Sequence, residues 1–83
     1  MTTPDIALYT TLGCSACAAV KRYLDTKGLT YTEKDVSRNG TWADEMKRVS
    51  GVRVAPVTVV GDRAFYGSFD QLRPQLDAAL AAR

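Results

Sequence analysis

The chain has 83 residues, 46% of them hydrophobic, and a formal net charge of +2. This length suits one small domain, residues 1–83, with a modest hydrophobic core. Acidic and basic residues are interspersed, which argues against nucleic-acid binding, because that function favours concentrated Lys and Arg. Histidine is absent, which excludes Ser-His-Asp and Cys-His nucleophile pairs and the HExxH zinc site.

Nothing in the sequence predicts export or a membrane. No apolar run approaches the roughly 20 residues that a membrane-spanning helix needs. The N-terminal stretch MTTPDIALYT has neither the basic region nor the apolar segment of a signal peptide. We therefore expect a cytoplasmic protein, a monomer, that contacts neither membrane nor nucleic acid.

The first 28 residues predict a strand followed by a helix. The run IALYT, residues 6–10, is rich in β-forming residues. After Gly13 the apolar residues recur with helical spacing, which predicts a helix from about Ser15 to Lys27, and Gly28 suits the left-handed residue that follows a helix end. The residues on the predicted apolar stripe are Cys17, Val20 and Leu24.

A second strand and a second helix follow. TYTEKDV, residues 30–36, predicts an edge strand, because two carboxylates share one face and discourage pairing with another sheet. Asn39–Gly40 marks a turn, and Thr41 with Asp44 resembles a capping box. We expect this helix to end at Gly51. Its predicted buried face consists of Trp42, Met46 and Val49.

The last third predicts a hairpin and a closing helix. Pro56–Val60 and Arg63–Tyr66 predict strands joined by a Gly-Asp turn. Asp70 can cap the final helix, whereas Pro74 predicts a distorted first turn or a late start, because proline lacks the backbone N–H. The predicted core face of this helix consists of Leu72, Leu76, Ala79 and Leu80. The order βαβαββα predicts an α/β fold, a four-stranded mixed sheet flanked by three helices.

The only two cysteines, Cys14 and Cys17, form a CxxC motif at the beginning of the first predicted helix. The first N–H groups of a helix have no internal partner, and this end carries a partial positive charge. A thiolate at Cys14 is stabilised there, so we expect its pKa below the value of about 8.5 for a free cysteine. Cys14 is then the nucleophile. Cys17, on the apolar stripe, is the protonated thiol that resolves the mixed disulfide.

Other functions for this pair remain open. A structural disulfide closing so short a loop contributes only about 2 kcal/mol. Half of a zinc site needs ligands from a second chain, because zinc prefers four ligands. A non-catalytic peptide-binding module and a metal or iron–sulfur site shared by two chains are further alternatives. A CxxC on the first turn of a helix within a β–α–β pattern favours a dithiol that exchanges with disulfides.

Four segments resemble the glutaredoxin family, from about Ile6 to Leu80. They are YTTLGCSAC, YLDTKGLTYTEKDVS, RVAPVTVVGD and GSFDQL. The resemblance implies a thioredoxin fold with a cis peptide bond before Pro56, facing the cysteine pair. It also implies that the Ala55 backbone is offered to an extended substrate.

The resemblance implies glutathione as a co-substrate and no bound cofactor or metal. In the family, basic or polar residues and the last turn before the final helix hold the glutathione carboxylates. Thr11 carries no charge at the first of these positions, and losing one charge-assisted contact costs about 1.5–3 kcal/mol. Ser15-Ala16 replaces the usual Pro-Tyr. The implied substrate-binding residues are Thr11, Ser15, Ala16, Arg53, Ala55, Pro56, Ser68, Phe69 and Asp70.

A second branch of the family is also similar: redoxins that reduce ribonucleotide reductase and take electrons from thioredoxin reductase. APVTVVGDRAFYGSF resembles their segment after the cis-proline. An apolar rim would dock the partner there, with the candidates Leu12, Ala16, Val54 and Phe65. We therefore predict a thiol–disulfide oxidoreductase that reduces protein or glutathione mixed disulfides and is recycled by glutathione or a flavoprotein reductase.

Overall fold

The computed structural model describes residues 5–81 and confirms the predicted order of elements. The predicted domain 1–83 also includes residues 1–4 and 82–83, which lie outside the described residues. The strands β2 and β3 are shorter than predicted. The elements are β1 Ile6–Thr10, α1 Ser15–Thr26, β2 Thr32–Asp35, α2 Gly40–Ser50, β3 Val57–Val60, β4 Arg63–Tyr66 and α3 Phe69–Ala81.

The four strands form one mixed sheet in the order β2-β1-β3-β4. β1 is parallel to β2, whereas the other pairs are antiparallel. The β2 strand lies at the edge, as its carboxylates predict. The register aligns Leu8 with Glu33 and Thr58, so these three side chains share one face of the sheet. Tyr9 aligns with Val57 on the opposite face.

The core has one cluster on each face of the sheet. The larger cluster joins the sheet to α1 and α3, which confirms the predicted apolar faces of both helices. Its buried members are Ile6, Leu8, Val20, Leu24, Val60, Phe65, Leu72, Leu76 and Leu80. The smaller cluster, Tyr9, Met46 and Val57, joins the sheet to α2. Helices therefore cover both faces, as the element order predicts.

The end of α1 has the hydrogen bonds of a Schellman motif. Gly28 has a φ of +69°, which a glycine adopts without steric cost. Its N–H donates to the Asp25 carbonyl at 3.0 Å, and the Leu29 N–H donates to the Leu24 carbonyl at 3.1 Å. Leu24 and Leu29 also pack in the same core cluster. The predicted role of Gly28 is confirmed, and the chain turns here towards β2.

The predicted beginning of α2 is wrong in detail. Asn39 is the N-cap, and its side chain accepts the Thr41 N–H at 2.9 Å. Asn39 already has the extended backbone that a cap needs, which leaves Thr41 inside the helix and excludes the capping box with Asp44. Val49 is 44% exposed rather than buried. The predicted end is confirmed, since Gly51 is the C-cap with a φ of +81°.

The helix α3 begins earlier than predicted. Ser68 and Gln71 form a reciprocal capping box: Gln71 Oε1 accepts the Ser68 N–H at 3.1 Å, and Ser68 Oγ accepts the Gln71 N–H at 3.4 Å. The helix therefore starts at Phe69, and Asp70 lies in its first turn instead of capping it. It continues through Pro74. The late start is wrong, because the Ser68 side chain caps the helix ahead of Phe69 and accepts the Gln71 N–H.

Candidate active site

The turn between β1 and α1 holds the cysteine pair. Gly13 has a φ of +74°, and Cys14 follows as the N-cap of α1 with extended backbone dihedrals. Cys14 Sγ accepts a hydrogen bond from the Cys17 N–H at 3.1 Å. The two sulfurs are joined in a disulfide. The structure therefore places Cys14 at the first backbone donors of the helix, where the CxxC spacing predicts it.

The two sulfurs differ in access. Cys14 is half-buried, whereas Cys17 is 2% exposed and faces inwards with the apolar stripe of α1. A cavity of about 360 Å³ lies beside the pair. The predicted residues Thr11 and Ser15 line this cavity with both cysteines. The geometry lets an incoming group reach Cys14 first.

A charged network on the β2 side of this cavity was not predicted. Thr10 Oγ1 donates to Glu33 Oε2 at 2.9 Å, and Lys21 Nζ donates to the same oxygen at 3.1 Å. Lys21, Glu33 and Asp35 line the cavity with the cysteines. One sequence signal was available: Lys21 is four residues after Cys17 and therefore on the same face of α1.

Asp35 keeps a negative charge close to the cysteines. Its carboxylate accepts the Ser37 N–H at 2.9 Å and a hydrogen bond from the Ser37 hydroxyl. The pKa of Asp35 lies below its ordinary value. The main cause is the hydrogen bond from the Ser37 hydroxyl, and the Ser37 N–H and the charges of Arg38 and Lys21 add to it. The cavity wall therefore carries two carboxylates, each paired with a cation: Glu33 with Lys21 at 3.1 Å and Asp35 with Arg38 at 3.6 Å.

The peptide bond between Ala55 and Pro56 is cis, as the family resemblance implies. Pro56 is buried, and Ala55 is half-buried. Neither residue lines the cavity on the β2 side of the cysteines. The residues implied for substrate binding are therefore divided between that cavity and the β3 segment.

Three of the residues implied to hold glutathione differ in charge, exposure and hydrogen-bond partners. Thr11 is exposed and uncharged. Arg53 is exposed, and its Nη2 lies 4.0 Å from Asp44 Oδ1. The Ser68 N–H already donates to the Gln71 side chain. One backbone donor of the last turn before α3, the Ser68 N–H, is therefore occupied by the capping box.

The remaining residues implied for substrate binding are in α3 or at the start of α1. Asp70 is exposed, and the Phe69 ring packs edge-to-face with Tyr23 at a centroid distance of 6.0 Å. Ala16 is half-buried. Two further rim candidates expose most of their surface: Leu12 (84%) and Val54 (62%).

Phe65 was wrongly assigned to the rim. It is 6% exposed and belongs to the larger core cluster. Its strand partner is Thr58, which aligns with Leu8, so the Phe65 side chain lies on the face covered by α1 and α3. Neighbouring residues of β4 face opposite clusters, Phe65 the larger and Ala64 the smaller, so the position in the strand decides where the ring lies.

Two classes of site have no representative in the part of the chain that the structure describes. Within residues 5–81, no group of three or more His, Cys, Asp or Glu residues is placed to hold a metal ion. In the same range, no helix has both the length and the apolar character needed to cross a membrane.

The family comparison agrees with this geometry. Residues 6–65 match the glutaredoxin family model, a segment that includes the cysteine pair and the cis-proline. This chain belongs to the glutaredoxin family. It is a glutaredoxin-like thiol–disulfide oxidoreductase whose redox pair is Cys14 and Cys17. Family membership therefore favours the dithiol over a purely structural disulfide.

Individual relatives carry different names. The N-acetyl-S-hydroxy-L-cysteine reductase of Bacillus subtilis is 35% identical over 78 residues, which are 93% of this chain and 84% of the relative. The glutaredoxin-like NrdH-redoxin of Escherichia coli, described as having a thioredoxin-like activity profile, is 28% identical with a TM-score of 0.70, over 84% of this chain and 92% of the redoxin.

The thioredoxin fold is shown by a further solved structure. The thioredoxin-like protein BC3987 has a TM-score of 0.78 over 87% of this chain and 99% of that protein. Its sequence is 24% identical, so this likeness concerns the fold. It agrees with the four-stranded mixed sheet flanked by three helices.

Proposed function

We propose that this protein reduces disulfide bonds of other proteins, with Cys14 as the attacking thiolate. Cys14 Sγ attacks one sulfur of the substrate disulfide, the substrate S–S bond breaks, and the other sulfur leaves as a thiolate that takes up a proton. Cys17 then loses its proton, attacks Cys14 Sγ and releases the second substrate sulfur as a thiol. The difference in exposure supports these roles, since Cys14 is half-buried and Cys17 is 2% exposed.

The helix start supports the choice of nucleophile. The Cys17 N–H points at Cys14 Sγ, and the partial positive charge of the helix N-terminus lies at the same atom. Both effects stabilise a thiolate more than a thiol. At neutral pH a larger fraction of Cys14 is therefore ionised than of an ordinary cysteine.

We infer that a flavoprotein reductase of the thioredoxin-reductase type, rather than glutathione, recycles the oxidised pair. Three features of the implied glutathione positions support this inference. Thr11 has no charge, the Ser68 N–H is occupied by Gln71, and Arg53 lies 4.0 Å from Asp44. The likeness to a redoxin with a thioredoxin-like activity profile points the same way.

A coupled assay tests the reductant. Oxidised protein is supplied either with glutathione, glutathione reductase and NADPH, or with thioredoxin reductase and NADPH, and NADPH consumption is followed. We expect faster reduction by thioredoxin reductase. Faster reduction by glutathione contradicts the inference.

A charge at position 11 provides the matched variant. Thr11→Lys restores a cation that can pair with a glutathione carboxylate, so we expect the glutathione-dependent rate to rise about ten- to a hundredfold. Thr11→Gln has a similar reach without the charge and is expected to leave that rate unchanged. An equal rise in both variants contradicts the electrostatic explanation.

Protein partners are expected to dock over the apolar rim. Leu12 lies two residues before Cys14, Val54 lies two residues before the cis-proline Pro56, and both expose most of their surface. Contiguous exposed apolar surface marks protein–protein interaction sites. We propose that ribonucleotide reductase, or another enzyme with a disulfide formed in its own reaction, is such a partner.

A second candidate function is the reduction of a sulfenic acid, which the likeness to N-acetyl-S-hydroxy-L-cysteine reductase favours. The chemistry needs the same two thiols. Cys14 thiolate attacks the sulfur of the S–OH group, hydroxide leaves and takes up a proton to become water, and a mixed disulfide forms. Cys17 then displaces the substrate thiol from Cys14.

Single-turnover measurements distinguish the two candidates. Fully reduced protein is mixed with N-acetyl-S-hydroxy-L-cysteine or with a protein disulfide, and loss of its dithiol is timed. Faster oxidation by the sulfenic acid favours the second candidate, whereas faster oxidation by the protein disulfide favours the first. Cys14→Ser is the control that should react with neither.

We also propose that the protein acts as a monomer in the cytoplasm. The described residues bury their own core, with Leu8, Leu24 and Leu76 fully inaccessible. A reducing compartment keeps most thiols reduced, which a disulfide-reducing dithiol requires.

A further inference from the structure

A second groove lies between α1 and α3, away from the charged network beside the cysteines. This α1–α3 groove has a volume of about 410 Å³. Its charged and aromatic lining residues are Arg22, Tyr23, Lys27, Phe69, Arg73 and Asp77. None of them lines the cavity that contains Cys14 and Cys17.

Aromatic rings contribute an apolar surface to the groove. Tyr23 and Phe69 are half-buried and pack edge-to-face. Lys27 Nζ lies 5.1 Å from the centroid of the Tyr23 ring. Aromatic surface of this kind can pack against the backbone and aliphatic portions of a bound chain.

The groove has an excess of positive charge. Its carboxylate, Asp77, already accepts the Tyr23 hydroxyl hydrogen and pairs with Lys27 at 3.6 Å. Arg22 and Arg73 are both exposed. Among residues 5–81, neither guanidinium has a carboxylate within salt-bridge distance. Neither cation is held in a close ion pair, although the charge of Arg73 helps to lower the pKa of Asp77, so both can contact an incoming anion.

The groove is directed away from the redox site. At the start of α3, Phe69 contacts Tyr23 of α1. Further along α3, Asp77 pairs with Lys27, which follows Tyr23 by four residues at the end of α1. The two helices therefore run in the same direction, and both begin at the end nearest Cys14. From Ala19 to Lys27 the α1 wall is about 12 Å long, which accommodates about three to four residues of extended chain.

We propose that the α1–α3 groove binds an acidic, extended peptide segment of the protein substrate while the substrate disulfide engages Cys14. The inference rests on the proposed reduction of protein disulfides. Arg22 and Arg73 contact carboxylates of the segment, and the rings of Tyr23 and Phe69 pack against its apolar portions. The open shape and length of the groove favour a chain over a single small anion.

Paired peptide substrates test this proposal. Each peptide carries one cysteine in a mixed disulfide with a chromogenic thiol and a run of Glu either before or after the cysteine; in matched peptides the run is Gln. We expect kcat/KM for one Glu peptide to exceed that of its Gln counterpart about three- to tenfold at low salt. The difference should shrink as salt is added.

Two double variants locate the effect. Arg22→Gln with Arg73→Gln should abolish the preference for Glu while leaving the rate with Gln peptides unchanged. Lys47→Gln with Arg48→Gln removes the same charge from α2 and should keep the preference. No preference for Glu in the unmodified protein, or equal loss in both double variants, overturns the proposal.

A binding measurement separates failure of this proposal from failure of the proposed function. Fluorescent Glu and Gln peptides with Ser in place of cysteine are titrated with oxidised protein, and anisotropy is recorded. Tighter binding of the Glu peptide, lost in the Arg22→Gln/Arg73→Gln protein, supports the groove even if no peptide disulfide is reduced. Equal binding of both peptides, or displacement by inorganic phosphate as effective as by unlabelled Glu peptide, overturns it.

Discussion

At the scale of single residues, the position of Cys14 decides the chemistry. As the N-cap of α1 it occupies the place where a side-chain acceptor satisfies a free backbone donor, and its sulfur accepts the Cys17 N–H. Cys17, three residues further along, is inside the helix and buried. The same turn of helix therefore exposes one sulfur to substrate and shields the other.

This asymmetry predicts different outcomes for the two serine variants. Cys17→Ser removes the thiol that resolves the mixed disulfide, so we expect a covalent adduct between Cys14 and the substrate that accumulates and is detected by mass spectrometry. Cys14→Ser removes the nucleophile, and we expect neither adduct nor turnover. Equal residual activity in both variants contradicts the assigned roles.

Residue patterns predicted the cysteines but not their surroundings. The CxxC at a helix start is a local signal, and it predicted that Cys14 lies at the beginning of α1 and that Cys17 is buried within it. Glu33 was interpreted only as an edge-strand charge, because nothing local shows that Thr10 and Lys21 share its carboxylate. Phe65 was misplaced because an aromatic in a short strand can face either side of the sheet. Register decides that question, and register is non-local.

At the scale of elements, the sequence predicted all seven helices and strands of the described residues in the correct order. Apolar spacing and glycines were sufficient for this. The helix starts were less predictable, because several adjacent residues can cap. Asn39 and Thr41 both suit an N-cap, as do Ser68 and Asp70. The backbone dihedrals decide which of these residues is the cap. The exposure of Val49 is a separate case, since a residue at the edge of an apolar helix face can remain exposed.

The capping box of α3 gives a prediction at this scale. Ser68→Ala removes the side-chain acceptor for the Gln71 N–H, so we expect the free energy of unfolding to fall by about 0.5–2 kcal/mol. Ser68→Asp keeps an acceptor at the cap and should retain most of the stability. Urea denaturation measures both. The assignment of the cap is contradicted if Ser68→Ala is as stable as the unmodified protein.

At the scale of the whole molecule, two side-chain contacts join elements that are distant in sequence. The Tyr9 hydroxyl donates to Glu45, and Lys34 pairs with the same carboxylate, which ties the sheet to α2. The Tyr23 hydroxyl donates to Asp77 and ties α1 to α3. The pKa of both tyrosines lies above the ordinary value. Burial is the larger cause, and the neighbouring carboxylate is the second. No local pattern encodes these pairings, so sequence analysis did not predict them.

Glu45 makes stability depend on pH. The hydrogen bond from Lys34, followed by that from Tyr9, lowers the pKa of Glu45 below its ordinary value of 4.5. A carboxylate with a lowered folded-state pKa stabilises the fold above its unfolded pKa, and this contribution is lost as the pH falls through the folded-state pKa.

The corresponding variant is Glu45→Gln. Its free energy of unfolding should lie below that of the unmodified protein at neutral pH, and the difference should shrink as the pH falls below about 4.5. Denaturation at a series of pH values measures this. Asp44→Asn, which removes an exposed carboxylate from the same helix, is the control. A difference for Glu45→Gln that is constant with pH contradicts the electrostatic origin.

The proposed mechanism depends on the acidity of the Cys14 thiol. The direct measurement is the rate of alkylation of each single-cysteine protein, Cys17→Ser and Cys14→Ser, as a function of pH. The helix start predicts that Cys14 reacts with a midpoint below the value of about 8.5 for free cysteine, and that buried Cys17 reacts with a midpoint at or above it. A midpoint for Cys14 at or above that of free cysteine contradicts the assignment of Cys14 as the nucleophile.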